Sequence, residues 1–371
     1  MGKMKFHINK KIFDEALEIV SKYIDSNNAY LNFRCVLVDV DNEFITLRAA
    51  NDSSSIIKKL PVDDEKIKIE KTGKFLVQSN ILKSIIKKLN NVITFDKSIN
   101  GILEISQGNS RYQLSTLDEK TYPAFDILAN TKNFEINTNE FKKAIKNVIH
   151  STSEDNSLIY RCINLRYKDN AIIFTATDSF RLSLYKMPIN SFVENEFDIS
   201  IDAKDLKDLI PADAPKNITL FYNDLKVGVK YTNTSIVSRI VTLPFKDTEP
   251  VFNTIKVKNT IQIEKSILNE MLNKIWMTNG DKKNRIQISV NSNELKLINN
   301  VSEVGSFVDS TKNFKFEGTP FEMDLNYIFF KDAISVLENE VSILISDDLK
   351  KILILCSSNK YSKQLITPLR R

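Results

Sequence analysis

The sequence predicts an α+β protein of three similar domains, each with two helices packed on antiparallel sheets, and three observations carry that prediction. First, a short strand with apolar residues two apart, then a helix whose first apolar residue lies seven positions on, occurs as Phe6, Ile8 and Phe13. It returns as Phe134, Ile136 and Phe141, and again, after an almost identical interval, as Ile261, Ile263 and Leu268. Second, each helix extends its apolar stripe at matching positions: Ala16, Leu17 and Val20; Ala144, Ile145 and Val148; Met271, Leu272 and Ile275. Third, residues 110–117 (SRYQLSTL), 236–243 (IVSRIVTL) and 362–369 (SKQLITPL) close the units alike, with Leu117, Leu243 and Leu369 equally spaced. A period-two pattern joined to a period-3.6 pattern at constant spacing marks a repeat. A third of the chain is long enough to be a whole domain with its own core, whereas the units of a solenoid are several times shorter.

Each unit reads as strand, helix, several strands, second helix and a last group of strands. After the first helix, paired strands recur over residues 37–49, 165–177 and 288–299, turning at Asp41-Asn42, Asp169-Asn170 and Ser292-Asn293. Second helices are predicted at about 80–90, 204–209 and 327–338. Among them Leu82, Ile85, Ile86 and Leu89 give the clearest stripe. Only eight glycines and few long polar stretches leave short connections, so the boundaries fall near Asn130 and Asn253, giving domains 1–130, 131–252 and 253–371.

The 371 residues are 42% hydrophobic and 27% charged, ordinary for a globular protein. No apolar run approaches the roughly 20 residues that cross a bilayer, and the opening MGKMKFHINK lacks a signal-peptide core, so a soluble, cytoplasmic protein is expected. Cys35, Cys162 and Cys356 are three, widely spaced and set among apolar residues, which predicts buried reduced thiols. A net charge of +5 permits an acidic partner without requiring one.

The search for catalytic chemistry is mostly negative. His7 and His150 are the only histidines, too few for a His triad or a His-rich metal site. There is no Walker loop, G-x-G-x-x-G or G-x-S-x-G. Asp39, Asp41 and Glu43 imitate the start of a calcium loop, but Phe44 stands where its glycine must turn and Ala50 where its bidentate glutamate belongs. No cofactor, metal or enzymatic activity is expected. The sharpest local signal is residues 175–189, TATDSFRLSLYKMPI, a strand running into a polar turn at Asp178-Ser179 and returning. Its plain reading is a satisfied hairpin with the Asp side chain holding the turn; only the middle unit carries it, whereas packing constraints are shared by all three, which sets a functional reading beside the plain one.

Those residues resemble the bacterial sliding clamps, the beta subunits of DNA polymerase III. The likeness covers essentially the full chain: MKF at 4–6, SRYQLSTLDEKTYPAF at 110–125, TATDSFRL at 175–182 with KMPI after it, and LITPLRR at 365–371. It implies a head-to-tail homodimer closing a ring around duplex DNA, with no catalytic site of its own. The implied partners are the DNA polymerase III catalytic subunit, the clamp loader, repair polymerases and other clamp-binding-motif proteins, and no membrane. Their peptides would enter a groove formed, by position, from Thr177, Ser179, Phe180, Arg181 and Leu182, with Tyr160 and Val251 beside them and Ile366, Thr367, Pro368, Leu369 and Arg370 from the C-terminus. Arg181 is the polar group expected to matter most there. Three positions depart from the family pattern: Phe180 stands where histidine is common, Pro250 where a basic residue is frequent, and Ser157 where arginine often occurs. The subunit contact would join Tyr112 and Leu114 to Trp276 and Met277.

Sliding requires contact through phosphates and water, because base readout would fix the register. Lysines opposite the apolar stripes are therefore the expected DNA-facing set: Lys83 and Lys87, then Lys142, Lys143 and Lys146, then Lys204 and Lys207. The first helix instead carries Asp14, Glu15 and Glu18 on its polar side, and the third unit offers only Lys274 and Lys331. Two other readings stand beside the clamp: a repeat-built peptide-binding scaffold that does not encircle DNA, and a hydrolase using Asp178 and Arg181, for which no nucleophile and base pair can be assembled.

Overall fold

A computed structural model describes residues 3–63, 65–98, 100–123, 130–153, 157–277 and 283–370. Ala124 and Phe125 of the 110–125 segment, and Arg371, lie outside the described residues. In the first repeat β1 (Met4–Asn9) leads into α1 (Lys10–Val20), followed by β2 (Cys35–Val40), β3 (Phe44–Ala50), β4 (Ser54–Pro61), β5 (Ile67–Lys71) and β6 (Gly73–Gln78). Then come α2 (Ser79–Ile86), β7 (Val92–Lys97), β8 (Ile102–Gln107) and β9 (Ser110–Ser115). The second repeat opens with β10 (Lys132–Asn137), α3 (Thr138–Val148), β11 (Cys162–Lys168), β12 (Ala171–Thr177), β13 (Arg181–Pro188) and β14 (Phe197–Asp202). It closes with α4 (Ala203–Asp208), β15 (Asn217–Tyr222), β16 (Lys226–Tyr231) and β17 (Thr234–Arg239). A short α5 (Glu249–Asn253) precedes the third repeat: β18 (Val257–Glu264), α6 (Lys265–Ile275), β19 (Arg285–Val290), β20 (Leu295–Val301), β21 (Gly305–Thr311), β22 (Lys315–Glu317) and β23 (Phe321–Asn326). Last are α7 (Tyr327–Ser335), β24 (Glu340–Ser346), β25 (Ile352–Cys356) and β26 (Ser362–Ile366).

The chain forms two compact units that cut across the repeats: Met1–Thr138 with Lys204–Ile240, and Asn139–Ala203 with Val241–Arg371. In the first unit one sheet runs β5-β1-β7-β8-β9 and another β10-β15-β16-β17-β4-β3-β2-β6. Strand β17 pairs antiparallel with β4, so the last strand of repeat two extends the sheet of repeat one. The second unit holds β14-β11-β12-β13-β26-β25-β24-β18-β22 and β21-β20-β19-β23, and there β26 pairs with β13 in the same way.

The repeated apolar positions make the cores. Phe6 stacks on Phe95 at 4.7 Å between ring centroids, with Phe13 against the same ring at 4.8 Å, and all three are fully buried. Phe141 meets Phe174 edge-on at 5.1 Å, while Ile261, Ile263 and Leu268 enter the core beneath α6 and α7. Local chemistry sets the helix starts: Asn9 caps α1 by accepting from Lys11 N, and Asn326 caps α7 by accepting from Phe329 N. The β11–β12 hairpin turns on Asp169 and Asn170, at φ of 51° and 55°, the left-handed pair that a two-residue hairpin requires. The cysteines are buried and form no disulfide with one another, and burial pushes the Cys35 thiol up to about 11.

Candidate functional site

On the middle and third repeats of the second unit, Ile173, Leu182, Leu184, Phe252, Leu353 and Leu365 form an apolar cluster separate from the helix-covered core. Val251, Ile255, Leu344 and Leu355 flank it half-buried. Strand β25 shows how the sequence builds two faces at once. Its Ile352, Ile354 and Cys356 join the core of repeat three, while Leu353 and Leu355 turn to the other side and join this cluster. Helix α5, started by Pro250 in its first turn, lays Phe252 and Val251 onto the same patch. An apolar patch on a sheet surface with polar groups at its rim suits an extended peptide with apolar anchors.

The rim is the turn from β12 to β13. Asp178 is 3% exposed, and its Oδ1 accepts from Phe180 N and Arg181 N, each at 3.0 Å. Its Oδ2 accepts from Arg181 Nε at 2.8 Å. Arg181 Nη1 also donates to Asp332 Oδ2 at 2.9 Å, and its guanidinium lies 4.3 Å from the Phe329 ring centre. The arginine is thus held by two carboxylates and an aromatic face, a positioning element of the turn. Burial raises the Asp332 carboxyl above its usual range, and the neighbouring Arg181 charge works against that rise. Thr177 Oγ1 donates to Arg181 O at 2.7 Å, and Ser179 takes a left-handed φ of 76°. Phe180, 57% exposed, is left at the surface.

The C-terminal strand ties into this turn. Thr367 donates twice to Phe180 O, from N at 2.9 Å and from Oγ1 at 3.0 Å. Leu369 N donates to Asp324 O at 2.8 Å, and Arg285, ion-paired with Asp324, donates to Arg370 O at 3.3 Å. Pro368 and Leu369 are half-buried and Arg370 is exposed. Ile366 instead belongs to the core of repeat three, at 2% exposure. Tyr160 sits half-buried at the end of a short turn whose backbone bonds run to Ser153 and Ser157. The structure therefore gathers Leu182 with Val251, and Thr177, Arg181 and Thr367 around Phe180. Sequence reading missed Leu184, Leu353, Leu355, Leu365, Phe252 and Asp332, although the unbroken apolar run of β25 is a signal for a strand buried on both faces.

Beneath the β13–β26 pairing lies a buried polar network. Gln364 Oε1 accepts from His150 Nε2 at 3.1 Å and from the Ser183 hydroxyl, which in turn accepts from Ser151 Oγ at 2.6 Å. Gln364 Nε2 donates to Asn147 O at 3.0 Å. Burial, with the Arg181 charge in support, lowers the His150 imidazole to about 4, against the Gln364 hydrogen bond. The unfolded chain therefore binds an extra proton between about pH 6.5 and 4, so this histidine destabilises the fold progressively as pH falls through that window. About 3 kcal/mol is at stake by pH 4, and the His150→Gln protein should show a flatter loss of thermal stability between pH 7 and 4. Parallel melting curves for the two proteins across that range would refute the assignment.

The lysines occupy mixed settings. Lys83 Nζ lies 2.7 Å and Lys87 Nζ 3.3 Å from Glu18 on α1, which holds the Glu18 carboxyl below its usual range, the Lys83 hydrogen bond contributing most. Lys142, Lys143 and Lys146 are exposed on α3, Lys143 within 3.8 Å of Glu338, and Lys204 and Lys207 are exposed on α4. Tyr112 and Leu114 are half-buried on β9, an edge strand. Trp276 stacks flat on Tyr327 at 3.8 Å and packs against its own core, while Met277 is 47% exposed.

Three α+β repeats and sheets that run across repeat junctions define a clamp-type protein. Profiles of the N-terminal, central and C-terminal domains of the DNA polymerase III beta subunit match residues 4–126, 135–247 and 255–370 in turn. The chain belongs to that family, the bacterial beta sliding clamps, which are non-catalytic processivity subunits of DNA polymerase III. The beta sliding clamp of Mycoplasmopsis pulmonis is 29% identical over 377 residues, covering 99% of this chain and 100% of that protein. The Bacillus subtilis beta sliding clamp is 23% identical over 99% of this chain and 100% of its own. Among solved structures, the B. subtilis DNA polymerase sliding clamp superposes with a TM-score of 0.94 at 21% identity over all of both chains. A Pseudomonas aeruginosa clamp bound to griselimycin gives 0.91 at 18%, also over all of both chains. No helix among the described residues is long and apolar enough to cross a membrane.

Proposed function

We propose that two copies of this chain close head to tail into a ring around duplex DNA and slide on it in the cytoplasm, tethering replication proteins through the apolar cleft. Strand order supports this most directly. Each long sheet places the closing strands of one repeat beside the middle strands of another, β15-β16-β17 on β4-β3-β2 and β24-β25-β26 on β13-β12-β11. The two short sheets are the same pattern cut at its centre: β1-β7-β8 ends on β9, and β23-β19-β20 ends on β21. Joining β9 of one copy to β21 of the next completes a third sheet of the same design. A heterologous contact of that kind gives a ring when the rotation closes.

Domains of 1–130, 131–252 and 253–371 would then give two chains, three domains each, with two helices apiece lining the channel. Catalytic subunit, clamp loader and repair polymerases would insert peptides at Leu182, Val251 and the Phe180–Thr367 rim. The exposed Lys142, Lys143, Lys146, Lys204 and Lys207 would carry the phosphate contacts. The pairing of both Lys83 and Lys87 with Glu18 favours a second reading, a scaffold that does not encircle DNA. Retention on closed circular DNA with loss from the same DNA after linearisation separates the two; equal retention on both forms, or none on either, would overturn the ring. Against salt, Lys146→Ala or Lys207→Ala should each lower the slope of log affinity on log salt by about 0.9 per lysine, about 1.8 for the two copies in the ring, and Lys83→Ala by clearly less.

A further inference from the structure

The first repeat carries an unassigned counterpart of the cleft's turn. Between β3 and β4, Asn51 Oδ1 accepts from Ser53 N at 2.9 Å and Ser54 N at 2.8 Å, as Asp178 does from Phe180 and Arg181. Arg239 N donates to Ser53 O at 2.9 Å, as Thr367 N does to Phe180 O. The strand registers agree as well: Ser54 lies opposite Ser238 and Ser55 opposite Val237, as Arg181 lies opposite Ile366 and Leu182 opposite Leu365. At this junction, within the first unit, is a cavity of about 130 Å³ lined by Phe33, Ser53, Ser54, Ser55, Ser238 and Arg239 among others.

The geometry is that of the cleft, but the chemistry is inverted. Serine at position 55 replaces the leucine of position 182, which puts one hydroxyl where the cleft has an apolar side chain, while Val237 and Ile57 keep the apolar character of Leu365 and Leu184. Arg239 is exposed and makes no ion pair among the described residues. Asp52 and Lys226 line the same cavity, and the Asp52 carboxylate already accepts from Asn28 Nδ2 at 2.8 Å. A cation over several hydroxyls selects a carboxylate. The cavity is smaller than the usual small-molecule site, which starts at about 300 Å³, and so suits one side chain of an extended peptide rather than a cofactor.

We infer that this junction is a second docking site, specific for an acidic peptide and used independently of the apolar cleft. The inference rests on the cleft reading for its repeat comparison, and the test keeps the two apart. Full-length protein is titrated into a fluorescein-labelled, end-capped Glu-Ser-Glu-Ser-Glu peptide and its Gln-Ser-Gln-Ser-Gln analogue, followed by anisotropy. Saturable binding of the acidic peptide is expected, weakened roughly tenfold or more by its glutamine analogue, by Arg239→Glu and by Ser55→Leu, and unchanged by Val251→Glu in the cleft. Because Arg239 is exposed, its variant carries the test if Ser55→Leu fails to fold. Absence of saturable binding, equal binding of both peptides, or indifference to Arg239→Glu would overturn the second site. A separate titration with a peptide bearing Leu and Phe anchors reports on the cleft: it should lose affinity in Val251→Glu and keep it in Arg239→Glu.

Discussion

Lysine in place of Val308 should convert the protein from a dimer near twice 42.5 kDa to a monomer of 42.5 kDa at micromolar concentration. Val308 lies on β21 with 55% of its surface exposed, and β21 has β20 as its one neighbour. Exposed apolar edges invite another strand, and charged side chains are what proteins use to prevent that. In the proposed ring, β21 receives β9 of the next copy, so the new ammonium would be stripped of water where Val308 now offers an apolar side chain. A central interface position of this kind is worth on the order of 2–4 kcal/mol, which raises the dissociation constant by roughly 30- to 1000-fold. Lysine at Leu114 on β9 should act in the same direction from the other side of the contact. Lysine at Leu225, also exposed but in the turn before β16, should leave the mass unchanged. Light scattering reads the masses directly, and retention on circular DNA should fall with them. A Val308→Lys protein that stays dimeric and ring-bound would mean that subunits meet through another surface.

How much of this was legible in the sequence depends on which force fixed each feature. The three-fold repeat was legible because the same apolar positions, Phe6 and Phe13 or Ile261 and Leu268, build each core, and burial tolerates only residues of that kind. Helix ends were less so. The second helix, expected over 80–90, ends at Ile86 because the chain tightens into i→i−3 turns before Asn91 adopts a left-handed φ of 49°. Helix α5 covers the expected boundary near Asn253, and only its first-turn proline announced it. The fate of Arg181 was illegible, since Asp332 is 151 residues away in the chain. The same holds for Lys83 and Lys87, whose neutralising partner Glu18 sits on a different helix. Trp276 was expected at a subunit contact on resemblance alone, and its stack on Tyr327 left no sign in the sequence. Charge pairs and stacking across elements leave no periodic trace, so sequence reading finds the faces and misses who meets on them.

Asp178→Ala is expected to be the most damaging single change at the cleft, because one buried side chain holds the whole turn. Its loss leaves Phe180 N and Arg181 N without their acceptor and removes one of two carboxylates from an arginine only 11% exposed. Breaking a buried ion pair outright costs about 3–5 kcal/mol. Arg181 keeps Asp332, so about 2–3 kcal/mol is expected here. Asp178→Asn keeps a carbonyl acceptor for the two backbone groups but gives up the charge and the hydrogen bond from Arg181 Nε, so its cost should be smaller than the alanine's without vanishing. Denaturant unfolding measures both, and affinity for a Leu- and Phe-anchored peptide should fall in the same order, because Phe180 and Leu182 flank the loosened turn. If Asp178→Ala matched the unsubstituted protein in stability and peptide affinity, the turn would be held by Thr177 and Thr367 instead, and the ion pair would be incidental to the cleft. If stability fell while affinity held, the turn would be structural only and the peptide would be read by Leu184, Leu353 and α5.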